Sequence, residues 1–166
     1  MPDMRELMID KVVINMGIGT SGERLQKASQ LLEELTGQKP TTTYAEKTIK
    51  NFGIRKGEAI GVKVTLRGEK ADKFLRDALT VVENRLKRKQ VNAGNFSFGI
   101  HEHIDLPDVE YDPDVGIYGM DVNVSLRRRG YRVKRRRIAR AKIGKNHLIT
   151  KDETVEFLKS LGVEVE

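Results

Sequence analysis

No cysteine occurs in these 166 residues, which excludes a disulfide framework and a thiolate metal site and fits a reducing compartment. No apolar run approaches the roughly 20 residues that a bilayer-spanning helix needs. The opening residues, MPDMRELMIDK, lack the form of a secretory leader. A cytoplasmic protein away from membranes is therefore expected. An internal repeat is also missing, as is any low-complexity segment outside one arginine-rich run. Hydrophobic residues make up 38% of the chain and charged residues 33%. That composition supports one modest core under a heavily ionic surface, so a single domain over 1–166 is expected.

Charge of one sign is absent from two stretches. From Val122 to Lys151 there is no Asp or Glu against twelve Lys and Arg, and from Gln90 to Asp121 no Lys or Arg against seven acids. The formal net charge is +7, yet without those twelve bases the remainder balances at −5. The positive excess is local, which suits contact with a polyanion through some surfaces and not others.

Strand alternation is the main pattern present. In one segment Val12, Ile14, Met16 and Ile18 are apolar, with Lys11, Asn15 and Gly17 among the intervening positions. In a second, Ile60, Val62, Val64 and Leu66 alternate with Lys63, Thr65 and Arg67. In a third, Met120, Val122, Val124 and Leu126 alternate with Asp121, Asn123, Ser125 and Arg127. Successive strand side chains point to opposite faces, so each segment has one apolar and one polar side. An ordinary solvated face gives the same alternation, because the pattern reports burial rather than partners. The sign of the charge is more informative: Asp121 is the one acid among these polar positions.

Helices are marked by period and caps. Thr20-Ser-Gly-Glu23 has the form of a capping box and precedes Leu25, Ala28, Leu31, Leu32 and Leu35, with Gly37 and Pro40 as the stop. Ala71, Phe74, Leu75, Ala78, Leu79, Val82 and Leu86 predict a second helix of about four turns. Thr150-Lys-Asp-Glu153 is a second capping box, predicting a C-terminal helix over about 152–161, with Val163–Val165 as a last edge strand. Thr41–Ala45 and Phe96–His101 read as further strands, and 104–119 as an ordered loop. The fold class expected is α+β: a mainly antiparallel sheet with helices on one face and the other face open. RNA-binding proteins often use such a bare sheet.

Several motifs bear on chemistry. Gly17-Ile-Gly-Thr-Ser-Gly22 fits G-x-G-x-x-G, and a nucleotide-binding enzyme built on it is the alternative function. A dinucleotide fold also needs repeated βαβ units and a well-placed acid about 20 residues on, and Glu46 fits that place loosely. The glycines otherwise serve a tight strand-to-helix turn and close approach to an RNA backbone, which puts Gly17 and Gly19 among the candidate contacts. His101-Glu-His103 offers two nitrogens with no third ligand. Asp112–Gly116 resembles a calcium loop without its closing Glu. No metal or cofactor is expected, and with no P-loop, nucleophile elbow or paired carboxylates, no enzyme.

Lys50-Asn-Phe-Gly-Ile-Arg-Lys-Gly57 sets two apolar side chains and three bases between flexible glycines. Either Phe52 and Ile54 pin this loop to the domain, or the loop is an RNA-touching finger with Phe52 free to stack on an unpaired base. The run Arg127–Arg140 is basic with Tyr131 interleaved. A solvated tail or a nuclear-localisation-like patch is its plain reading. Its charge density predicts no compact structure without a polyanion partner.

Five blocks taken in order, KVVINMGIG, LEELTGQKP, KTIKNFGIRKGEAIGVKVTLRG, NFSFGIHEHIDLPDVEYD and GIYGMDVNV, resemble the 5S-rRNA-binding protein family of the large ribosomal subunit and cover most of Lys11–Val124. The basic segment 127–145 matches the archaeal or eukaryotic type, since the bacterial form lacks it and has a longer N-terminal helical extension. The resemblance implies a cytoplasmic, structural constituent of the large subunit that binds 5S rRNA and helps attach it in the central protuberance. The partners it implies are 5S rRNA, large-subunit rRNA, neighbouring large-subunit proteins, P-site tRNA, and a small-subunit head protein at an inter-subunit bridge.

By the same resemblance, rRNA contacts fall at Lys11, Asn15, Phe52, Lys63, Thr65 and Arg67, and the polar strand face adds Asn123 and Arg127. Contact with tRNA is implied for Lys50, Phe52, Gly53, Ile54, Arg55, Lys56 and Gly57. Arg128, Arg129, Arg132, Lys134, Arg135, Arg136, Arg137 and Arg140 are expected to add RNA contacts, with no particular RNA implied. Tyr44–Glu46 departs from the family's more basic Arg-x-Lys, so Glu46 is not a candidate. A stand-alone RNA-binding regulator is the third reading.

Overall fold

In chain order the elements are β1 (Leu7–Gly17), α1 (Glu23–Thr36), β2 (Thr41–Tyr44), β3 (Ala59–Leu66), α2 (Glu69–Val81), β4 (Arg85–Leu86), β5 (Val91–Asn92), β6 (Asn95–Ile100), β7 (Met120–Arg128), α3 (Arg132–Arg135), α4 (Lys151–Ser160) and β8 (Glu164–Val165). They come from a computed structural model that describes residues 3–107, 109, 113 and 116–166. Six strands form one sheet in the order β2-β3-β1-β7-β6-β5, antiparallel at every ladder. β4 and β8 pair separately and in parallel. The architecture is α+β, as expected.

Alternation carries the core. Val12, Ile14, Met16, Val62, Val64, Leu66, Val122, Val124, Leu126, Phe96, Phe98 and Ile100 all point to one face and are buried. Leu25, Ala28, Leu31 and Leu32 of α1 and Ala71, Phe74, Leu75, Ala78 and Leu79 of α2 belong to the same core. Full burial of one such Val, Leu, Ile or Phe side chain is worth about 1.5–3 kcal/mol, so this layer dominates the stability of the fold.

Among the departures from the sequence reading, three at element ends have a local reason. β1 starts at Leu7 rather than Lys11, and its phase flips at a bulge between Ile9 and Lys11. Leu7 and Ile9 pack on the core before the bulge, Val12 and Ile14 after it. α1 is capped by Gly22 with no side-chain acceptor, so Thr20 forms no capping box. Ser21 instead donates its hydroxyl to Glu58 Oε1 at 3.1 Å. α2 stops at Val81 because Glu83 and Asn84 adopt left-handed backbone, φ 55° and 54°, and Leu86 is buried in β4 instead.

The start of the basic segment is tied to the rest of the chain, while residues 134–142 are all exposed. Arg136 N–H donates to the Arg132 carbonyl at 2.8 Å, and Ala141 N–H to that of Val133 at 3.2 Å. The Tyr131 ring meets His147 edge-on at 5.9 Å, and the Tyr131 hydroxyl donates to the His147 carbonyl at 3.3 Å. The second capping box is present: Thr150 Oγ1 accepts from Glu153 N–H at 3.3 Å, and Glu153 Oε2 from Thr150 N–H at 2.8 Å. The calcium-loop reading of Asp112–Gly116 lies largely outside the described residues.

Candidate nucleic-acid interface

The register places the polar positions in rows across the second face of the sheet. One row runs Thr41, Lys63, Asn15, Asp121, Gly99; the next runs Thr65, Val13, Asn123, Ser97; a third runs Lys11, Ser125, Asn95. Lys63, Asn123, Ser97 and Asn95 are exposed, while Lys11, Asn15, Thr65 and Ser125 are half-buried among their neighbours. A shallow depression of about 420 Å3 opens there, lined by Lys11, Asn92, Asn95, Ser97, Asn123 and Ser125. Asn92, Asn95 and Ser97 were missed by sequence reasoning. The signal existed in the alternation of β6, where Phe96 and Phe98 point inward and oblige Asn95 and Ser97 to point out.

Arg67 and Arg127 stand on this face, but neither is a free surface base. Both surround Asp10, which the sequence reading passed over. Asp10 is only 5% exposed, and the bulge beside it puts Asp10 and Lys11 opposite the single residue Ser125. Arg67 Nη1 lies 3.5 Å from Asp10 Oδ1 and donates to the Asp10 carbonyl at 3.2 Å. Arg127 Nε lies 3.6 Å from Oδ1. Arg135, brought over by α3, donates from Nη1 to Oδ1 at 2.9 Å and from Nη2 to Oδ2. Burial alone pushes the Asp10 carboxyl up, but the hydrogen bonds and charge of Arg135, with Arg67 and Arg127 behind it, outweigh that and hold it below its ordinary value.

The loop after β2 is built from its own backbone. Ile49 and Ile54 exchange N–H···O bonds of 3.0 and 3.3 Å around a single turn at Lys50–Phe52. Gly53 at φ 69° closes that turn, a conformation costly for any residue with a Cβ. At the base, Ala45 and Gly57–Glu58 are joined by two backbone bonds of 2.8 Å. Glu58, another residue missed in sequence, accepts from Arg55 N–H at 2.9 Å as well as from Ser21. Those bonds hold its carboxyl below the ordinary value. Phe52 is 74% exposed, whereas Ile54 is half-buried. Ile54 is thus partly shielded within the loop, where its backbone pairs with Ile49, and Phe52 stands out into solvent. Lys50, Arg55 and Lys56 are exposed around it.

Arg128 corrects the sequence reading of the basic run. It sits at an even, inward position of β7, is 5% exposed, and pairs through Nη2 with Glu153 Oε1. The phase that buries Leu126 buries its neighbour two positions on, so Arg128 is a structural tie to α4. Arg129 is half-buried and donates to Glu6 Oε2 at 3.2 Å, while its carbonyl accepts from His147 Nε2 at 2.8 Å. Arg132, Lys134, Arg136, Arg137 and Arg140 are exposed. Gly17 and Gly19 are exposed at the end of β1, with open space where a Cβ would stand.

Comparison with known proteins decides the family. A family model described as ribosomal protein L5 matches residues 3–55, and one described as the C-terminus of the same ribosomal family matches residues 59–162. The large ribosomal subunit protein uL5 of Archaeoglobus fulgidus is 70% identical over 98% of this chain and 92% of its own length. The proteins of the same name from Pyrobaculum aerophilum and Sulfurisphaera tokodaii are 55% and 54% identical, over 98% and 94% of this chain and 92% and 89% of their own. The chain belongs to the ribosomal protein L5 family. That is a family of ribosomal proteins and not of enzymes.

Within this L5-family chain the two matched regions meet at the exposed loop, which lies between β2 and β3. The G-x-G-x-x-G motif lacks the topology a dinucleotide needs. β2, the strand that follows α1, is kept apart from β1 by β3, which is antiparallel to both, so Gly17–Gly22 does not open a βαβ unit of adjacent parallel strands. The two histidines of His101-Glu-His103 part company as well. His101 is exposed; His103 is buried and accepts the Tyr118 N–H on Nδ1 at 3.3 Å, and burial pushes its pKa down. Among the described residues no group of three His, Cys, Asp or Glu side chains is placed to hold a metal.

Proposed function

We propose that this ribosomal protein is a structural constituent of the large subunit that binds folded 5S rRNA through the open face of its sheet and helps attach it in the central protuberance. The observation that supports this best is the face itself: helices cover the opposite side, and bases, amides and hydroxyls fill adjacent rows on this one. In this reading Lys11 and Lys63 neutralise phosphates, and Asn15, Asn123 and Thr65 reach sugar hydroxyls or base edges. Gly17 and Gly19 let a backbone approach closely. The loop Lys50–Gly57 reaches P-site tRNA, with Phe52 as its stacking side chain. Arg132, Lys134, Arg136, Arg137 and Arg140 add contacts to large-subunit rRNA. Neighbouring large-subunit proteins and a small-subunit head protein at an inter-subunit bridge complete the set of partners. The whole of 1–166 acts as one unit, with the basic segment and C-terminal helix as its appendages.

Equilibrium binding to folded 5S rRNA and to a scrambled RNA of equal length, across a salt series, tests this. The expected result is a preference for folded 5S rRNA that survives moderate salt. Lys63→Ala should lower the slope of log affinity against log salt by about 0.7–0.9, the loss of one phosphate contact, with melting unchanged. Equal binding to both RNAs, vanishing together as salt rises, would reduce the protein to a generic polycation.

A further inference from the structure

An acid at the edge of a polyanion-binding face is a contradiction on simple electrostatic grounds, and Asp10 is buried there among three arginines. Its position is not accidental to the fold. The strand order β3-β1-β7 sets Arg67 and Arg127 on either side of β1, and the bulge between Ile9 and Lys11 places Asp10 within reach of both. Arg135 alone occupies both carboxylate oxygens. A latch holding α3 to the sheet needs no more than that.

Arg67 and Arg127 are nevertheless drawn in to 3.5 and 3.6 Å of the same oxygen, while their side chains stay 57% and 48% exposed. Arg135 is 52% exposed. Three guanidiniums against one carboxylate leave a surplus of two positive charges, held in fixed positions and open to solvent. A guanidinium presents its N–H groups as a planar fork that matches a phosphate, and a fork already fixed in place loses little freedom on binding.

We infer that Asp10 assembles Arg67, Arg127 and Arg135 into a clamp for a backbone phosphate of the folded RNA. Asp10 is a positioning residue: it touches no RNA and acts through the three arginines. This rests on the RNA-binding reading above and extends it to residues that reading left unexplained. The clamp also gives the basic segment a defined role, since Arg135 joins the sheet face through Asp10 and not as part of a loose tail.

Asp10→Asn separates this idea from plain electrostatics by the sign of its effect. The substitution removes a negative charge and keeps every base, so charge alone demands tighter binding to any RNA. The clamp demands the opposite for folded 5S rRNA. Its Kd should rise about tenfold, the scale of one lost charge-assisted hydrogen bond, while a scrambled RNA of equal length binds unchanged or tighter. Arg67→Lys and Arg127→Lys, which keep charge and lose the fork, should weaken folded-RNA binding in the same selective way.

Thermal melting of each variant accompanies the titrations. Should Asp10→Asn fail to fold, the two lysine variants at half-exposed positions carry the test by themselves. Tighter or unchanged binding of folded 5S rRNA by a well-folded Asp10→Asn, or no effect of either lysine substitution, overturns the clamp. Failure of the underlying reading is recognised separately, because wild-type protein would then show no preference for folded 5S rRNA, and the clamp would fall with it.

Discussion

Phe52→Ala sets the two readings of the exposed loop directly against each other. Burying a Phe side chain fully is worth about 1.5–3 kcal/mol. At 74% exposure, Phe52 retains roughly a quarter of that, about 0.4–0.8 kcal/mol. At about 2–4 °C per kcal/mol for a chain of this size, Tm should fall by only about 1–3 °C. A base stacked on an aromatic side chain is worth about 1–3 kcal/mol by alanine substitution, so the affinity for the RNA it touches should fall roughly 5- to 150-fold. The assay is a thermal melt alongside equilibrium titrations with folded 5S rRNA and with tRNA, and the RNA whose Kd moves is the one the loop touches. Phe96, 2% exposed in β6, supplies the contrast: its truncation should cost about 3–5 kcal/mol. A Phe52→Ala protein that melts like the Phe96 variant, with both RNA affinities unchanged, would show that the ring pins the loop and would refute the stacking argument.

Gly61→Ala should destabilise the sheet by about 1–3 kcal/mol, because a Cβ there would stand 2.8 Å from the Met16 carbonyl oxygen and from Thr43 Oγ1; an unchanged melting temperature would mean that β1 and β2 yield on either side of β3 more easily than their ladders with it suggest. Glu153→Ala removes both the cap of α4 and the partner of buried Arg128. With Glu153 itself 35% exposed, the loss should be about 3 kcal/mol, a Tm lower by roughly 6–12 °C, and a fall under about 2 °C would contradict it. Acid should destabilise through Asp10 and Glu153. The Glu153 carboxyl is held below its ordinary 4.5 chiefly by the Thr150 N–H and then by Arg128, and Asp10 below its ordinary 3.8 as described. Groups with lowered native values bind protons more readily when unfolded, so their stabilisation is complete above those ordinary values and is lost as pH falls through the lowered ones. Tm measured down to about pH 3 should drop more steeply for wild type than for Asp10→Asn, and parallel curves would deny Asp10 that part.

The core was legible because period-2 burial is a property of a strand and needs no knowledge of its neighbours. Val12, Ile14, Met16, Val62, Val64, Leu66, Val122 and Val124 could all be placed inward from the sequence, and the open face followed from what remained. The Thr150–Glu153 cap was legible for the same reason, being closed within four residues. Local patterns failed where something distant competed. Thr20–Glu23 has the letters of a cap, but Ser21 is drawn to Glu58 from a loop 37 residues away. Val82 and Leu86 continue a helical period that the backbone of Glu83 and Asn84 breaks, because Leu86 has a better partner in β8 at the chain's end.

By itself, then, the sequence determined which side of each strand is apolar, where the positive charge is concentrated, and that a polar sheet face exists, since these depend on composition and on spacing within single elements. Tertiary structure alone decided which bases remain available on that face. Arg127 and Arg128 are neighbours in a basic run, yet one edges the open face and the other is buried against Glu153, because adjacent strand residues point opposite ways and different elements wait on each side. Asp10 reads as an ordinary acid in a strand until a bulge, two flanking strands and a helix 125 residues away bring three guanidiniums around it. A single side chain's charge is written in the sequence, but its partners are fixed only when the chain closes on itself.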